Sequence, residues 1–159
     1  MEPKIVSLGA LRLVGLPFYG SPEGGAFGQV WERFMPEQPK VQGRADPKVY
    51  YGLEVYGPEF MTAHRWQYTA AVEVRDLAEM PLLLAAKVLP PSTYAVFTAS
   101  HGLASIPDAF MYAYNQWIPA SQYEVAYPFD FELYHDDRFH GDGPDEQIDL
   151  YIPIREKAA

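Results

Sequence analysis

Apolar, β-branched and aromatic residues recur along this chain in runs of five to nine, punctuated by glycine, proline and acidic residues. Residues 4–8 and 11–16 are two such runs split only by Gly9-Ala10, a spacing that predicts a hairpin. Ser21-Pro22-Glu23 offers a cap, a proline at the first helical position and an acid in the first turn. The helix it predicts runs through Val30, Trp31 and Phe34 to about Met35, where Pro36 stops it. Residues 49–56 and 66–74 are β-branched and aromatic enough to form the next two strands.

The same order then returns. Residues 82–88 and 93–98 are two apolar runs around Pro90-Pro91, and Ser105-Ile-Pro-Asp108 reads as a capping box. The predicted helix passes through Ala109, Tyr112 and Trp117 and is closed by Pro119; residues 129–136 and 148–154 are the last strands. Gly20 and Gly102 lie 82 apart, Pro36 and Pro119 lie 83 apart, and both strand pairs lie 80 apart. Offsets of 80 to 83 with the element order kept predict two copies of one ββ-α-ββ unit, about residues 3–76 and 82–155, with a ligand cleft where they meet. Because each copy needs the other, residues 1–159 are expected to form one domain of α+β class, an antiparallel sheet with two helices and pseudo-twofold symmetry.

Composition narrows the function. Twelve Lys and Arg against 21 Asp and Glu leave a formal charge of −9, which disfavours both nucleic-acid backbones and anionic membranes. No cysteine is present, so thiolate catalysis, disulfides and Cys-ligated metals are excluded. No apolar run approaches the ~20 residues that cross a bilayer, and the N-terminus lacks a signal-peptide core, so a cytoplasmic protein is expected. Aromatic residues make up 15% of the chain, and tyrosine and tryptophan line sites for flat or cationic ligands as well as cores.

The chemistry concentrates on residues 129–134. With period two, Asp130, Glu132 and Tyr134 share one face while Phe129, Phe131 and Leu133 share the other. The matching strand places Tyr50, Gly52, Glu54 and Tyr56 on one face and Val49, Tyr51, Leu53 and Val55 on the other. A mid-strand carboxylate is costly to bury unpartnered. Glu132 is either the counter-charge for a cation held between aromatic rings, or a solvated residue paired with Arg65, Arg75 or Lys87. The acidic, histidine-bearing stretch around His135, His140, Asp142, Asp145 and Glu146 has metal-ligand residue types but the glycine and proline of a turn, and is read as a solvated loop. Residues 20–28 are glycine-rich ahead of a helix but lack a phosphate loop's Lys-Ser/Thr pair.

Several segments together resemble the GyrI-like effector-binding domain, the small-molecule-sensing part of AraC- and MerR-type multidrug regulators, which also occurs free-standing. They are residues 89–98, Asn115-Gln-Trp-Ile-Pro119, Phe131-Glu-Leu-Tyr134 and residues 148–154. Leu13-Val-Gly-Leu16, Trp31, Tyr50-Tyr-Gly52 and Tyr68-Thr-Ala-Ala-Val72 match more loosely. The resemblance implies that Glu132 meets the charge of lipophilic cationic ligands and that Tyr51, Tyr68, Trp117, Tyr134, Trp31 and Tyr112 supply aromatic walls; both tryptophans also suit plain core. It implies no cofactor, and the repeat leaves no room for the helix-turn-helix of a regulator, so a stand-alone binder is expected. Two alternatives remain: a small hydrolase of strained electrophilic toxins, with Glu132 as base and Tyr134 as donor, and an acidic module that contacts a protein partner.

Overall fold

The β-branched and aromatic runs become strands, and the helical segments lie on one side of them. In a computed structural model describing residues 1–159, β1 (Lys4–Leu8), β2 (Leu11–Gly20), β3 (Val49–Val55), β4 (Trp66–Glu73), β5 (Ala85–Leu89), β6 (Ser92–Ala99), β7 (Tyr123–Val125), β8 (Phe129–His135) and β9 (Ile148–Glu156) form one nine-stranded antiparallel sheet. Helices α1 (Ala26–Phe34) and α3 (Ile106–Tyr112) pack on one face; the short helices α2 (Glu59–Ala63) and α4 (Ile118–Ala120) complete the set.

The strand order is β1-β6-β9-β8-β3-β4-β2-β5, with β7 beside β9. If β1, β2, β3 and β4 are exchanged for β5, β6, β8 and β9, this order becomes its own reverse. The line about which it reverses is the β3–β8 seam, where Val49 faces His135 and Gly52 faces Glu132. Gly52 and Glu132 are 80 residues apart, the spacing of the repeat, so these two counterparts face each other across that line.

One expectation is overturned here. Residues 4–16 do not form a hairpin: β1 pairs with β6, while β2 pairs with β4 and β5. Gly9-Ala10 carries the chain from one sheet edge toward the other, and Pro90-Pro91 does the same between β5 and β6. A two-residue link spans only about 10 Å. The two edges are therefore drawn together and the sheet curls. Its inner face closes on itself around Leu11, Leu13, Tyr51, Leu53, Tyr94, Phe129 and Phe131, a core cluster that contains no helical residue.

The outer face carries two further cores, one beneath each long helix. Val30 and Phe34 of α1 pack on Val14, Tyr68 and Val72, and Ile106 and Ala109 of α3 pack on Phe97, Ile148 and Leu150. Each large apolar side chain so buried contributes about 1.5–3 kcal/mol. Between the two helices the β3–β8 seam is left for polar residues.

Local boundaries differ from the sequence reading for identifiable reasons. Gly24 and Gly25 adopt left-handed φ values of 69° and 72°, which ends a 3-10 turn and delays α1 to Ala26; Ser21 Oγ accepts the Glu23 amide instead of capping the helix. Ser105 stands at the start of α3, but its hydroxyl donates back to the Gly102 carbonyl. Pro119 does not close the second helix. The chain runs on through a π-helical turn at Ala113–Trp117 into α4, and there Pro119 occupies a first-turn position where no amide proton is needed. Residues 82–84 lie outside β5, with Leu82 98% exposed. Neither α2 nor β7 was anticipated.

Candidate functional site

Period two along β8 points Asp130, Glu132 and Tyr134 toward the helices, and the antiparallel register sets Glu54, Gly52 and Tyr50 of β3 opposite them. Three carboxyl groups thus meet on one seam, and all are buried: Glu54 and Glu132 are 6% exposed, Asp130 0%. Gly52 makes this possible. A Cβ at that position would stand 2.6 Å from the Tyr68 hydroxyl oxygen and 2.7 Å from Glu132 Oε2.

Aromatic donors, not basic residues, satisfy the carboxyls. Tyr134 and Tyr68 hydroxyls donate to Glu132 Oε2, the second at 3.4 Å, and Trp31 Nε1 donates to the Tyr68 oxygen at 2.7 Å. Trp66 Nε1 donates to Glu54 Oε2 at 2.6 Å. Tyr56 and Tyr114 donate to Asp130 Oδ2 at 2.9 and 2.7 Å, while Asp130 Oδ1 has no partner within the chain. No ion pair involves any of the three, so Arg65, Arg75 and Lys87 are not the partners of Glu132.

Burial without a cation shifts these groups. Glu54 is pushed well above the ordinary carboxylate range by burial and by the charges of Asp130 and Glu132. Burial raises Asp130 to about 7, against the pull of the Tyr114 and Tyr56 hydroxyls. Glu132 is raised by burial and held back by Tyr134, Glu54 and Tyr68. Burial also lifts Tyr68 and Tyr134, so both keep their protons and serve as donors. The seam holds protons that a positive group nearby would release.

Next to Glu132 a cavity of about 830 Å³ opens between α1 and α3. Phe27 and Trp31 wall it on one side, Ile106 and Pro107 on the other, with Tyr50, Tyr68, Glu132 and Tyr134 at its base. The loop after β8 adds Asp136, Phe139 and His140. The rings brace one another: Phe27 stacks on Tyr68 at 4.1 Å, and Trp31 and Phe139 meet Tyr134 edge-on at 5.5 and 4.9 Å. A volume of this size and mainly aromatic walls suit an organic molecule.

Of the residues singled out from sequence, Glu132, Tyr68, Tyr134 and Trp31 meet at this cavity. Three others lie elsewhere. Tyr51 is on the inner face, packed on Phe131 at 5.4 Å with its hydroxyl on Glu73, because adjacent strand residues point to opposite faces. Trp117 sits on Phe97 and Tyr123 with Nε1 toward Glu2, and Tyr112 packs edge-on to Phe97; both belong to the core under α3. The acids of the loop are divided among separate contacts: Asp136 lines the cavity, Asp137 pairs with Lys48, and Glu146 accepts the His140 amide. Phe27, Phe139, Tyr114 and Trp66 were missed. Tyr56 and Glu54, in contrast, share the Tyr50 face of β3, and pairing that strand with β8 would have brought them in.

Comparison with known proteins gives four matches. Residues 1–155 match the family model of the GyrI-like small molecule binding domain. A transcriptional regulator of Pseudomonas aeruginosa, BrlR, is 35% identical over 155 residues, which are 97% of this chain and 56% of that protein. The chain thus spans little more than half the length of that curated relative. Among solved structures, SAV2435 bound to tetraphenylphosphonium superposes with a TM-score of 0.76 at 17% identity, over 98% of this chain and 94% of that one. EcmrR in a complex with DNA superposes with a TM-score of 0.75 at 13% identity, over 98% of this chain and 58% of that one. At these identities the two structures share its fold.

Proposed function

The chain belongs to the GyrI-like small-molecule binding domain family, related to the effector-binding domains of transcriptional regulators, and from that premise we propose that it binds lipophilic cations in the cavity between α1 and α3. One observation carries the reading. Glu132 is buried at the base of an aromatic-walled cavity and is answered by the Tyr134 and Tyr68 hydroxyls and the Glu54 carboxyl, never by a lysine or arginine. A cation entering there supplies the missing counter-charge, and each ring whose face it meets adds about 0.5–2 kcal/mol. The tetraphenylphosphonium bound by SAV2435 is a molecule of this chemical type. No helix of the chain is long and apolar enough to cross a membrane, and the net charge of −9 suits a cation better than a nucleic acid.

Titration of intrinsic tryptophan fluorescence with tetraphenylphosphonium tests it, since Trp31 lines the cavity. Saturable quenching is expected, with Glu132→Gln weakening binding about ten-fold or more, the size of a lost charge-assisted contact. Equal binding by both proteins, or none by either, sinks the reading. Conversion of a strained electrophilic ligand to product, lost in Glu132→Gln, would replace binding by hydrolysis.

A further inference from the structure

The cavity holds a second carboxylate, and its placement sets a length. Asp136 lies four residues beyond Glu132 and follows β8 without a break in pairing: its amide donates to the Lys48 carbonyl at 2.9 Å, one rung past Val49 and His135. Period two therefore turns Asp136 to the same side as Glu132 and Tyr134, and both carboxylates line the cavity. Four residues of extended strand separate their backbones by about 13 Å. Glu132 lies at the buried base and Asp136 at the exposed mouth, with the rings of Tyr134, Tyr50, Trp31 and Phe139 along the path.

Asp136 lies within reach of the Lys48 charge, but no group holds its carboxylate. It makes no ion pair and no side-chain hydrogen bond; Lys48, its nearest lysine along the ladder, binds Asp137 at 3.0 Å, and His140 turns its Nδ1 toward Glu146 at 3.6 Å. Two carboxylates without an ion-pair partner, at the two ends of one aromatic channel, match a ligand charged at both ends.

We propose that this cavity selects elongated dications, molecules whose two positive groups, about 13 Å apart, meet Glu132 and Asp136 while an apolar linker crosses the aromatic wall. The proposal rests on the reading that Glu132 receives a cation, and it adds a second contact and a spacing to it. The channel recognises quaternary ammonium heads on rings and rewards length only when both ends are charged.

Displacement of bound tetraphenylphosphonium tests this with three competitors: decamethonium, charged at both ends of a ten-carbon chain; decyltrimethylammonium, the same chain charged once; and hexamethonium, a dication too short to bridge. Wild type should prefer decamethonium to decyltrimethylammonium about two- to five-fold, the range of an exposed ion pair. Hexamethonium should show no such advantage. In Asp136→Asn the preference should fall to near parity. Equal competition by the two decyl compounds in wild type, or a preference that survives Asp136→Asn, refutes the second contact while Glu132-dependent binding of tetraphenylphosphonium stands. Failure of tetraphenylphosphonium to bind wild type refutes both.

Discussion

Glu54, Asp130 and Glu132 are three carboxyl groups on one sheet seam, partnered by hydroxyls, indoles and one another and by no basic residue, and their cost depends on protonation. Asp130 carries the clearest consequence. Its pKa is raised by burial from the ordinary carboxylate value of 3.8 to about 7, so the folded protein holds a proton there that the unfolded chain releases. The stability this group contributes is full below pH ~4 and falls as pH rises toward about 7, above which the contribution is lost. Glu54 and Glu132 are shifted in the same direction and add to the trend. Thermal melts should show a midpoint that declines between pH ~4 and 7 by the equivalent of on the order of 4 kcal/mol, and Asp130→Asn should flatten the decline. A midpoint that rises through that interval in wild type would contradict the burial argument. At this scale the sequence was partly readable: alternation alone placed Asp130, Glu132 and Tyr134 together. The partners of Glu132 were not readable, because Tyr68 and Trp31 arrive from a different strand and a helix.

Elements were more legible than their pairing. Runs of β-branched and aromatic residues marked eight strands in order, since a half-buried pleated surface selects those residues locally. Which strand lies beside which is a different kind of information. Gly9-Ala10 has the length of a hairpin turn and instead links opposite edges, and nothing local distinguishes the two uses. The outcome is a graded sheet. β3 and β8 are largely buried and flanked on both sides, whereas β1 and β5 are edges whose residues are mostly exposed. Amide hydrogen exchange read by mass spectrometry should therefore find β3 and β8 slowest, and β1 and β5 fastest among the paired strands. Protection of β1 equal to that of β8 would mean that the edge is covered in solution.

Over the whole molecule the two halves hold each other's edges, for β1 of the first half borders β6 and β5 of the second borders β2. Cleavage in the exposed stretch 75–80 should leave two fragments that stay together on size exclusion and separate only on denaturation, each then failing to refold alone; a stable, independently folded half would refute this. Synthesis of the chain feels the same arrangement as a delay. β1 ends at Leu8, and the residue that pairs with Leu8, Ser92, is added 84 positions later. At roughly 5–20 residues per second on the ribosome, β1 waits on the order of 4–17 s for a partner. Over that interval β1 is short and half-polar, with Lys4 and Ser7 among its five residues, the features that blunt an unpaired edge against another nascent chain.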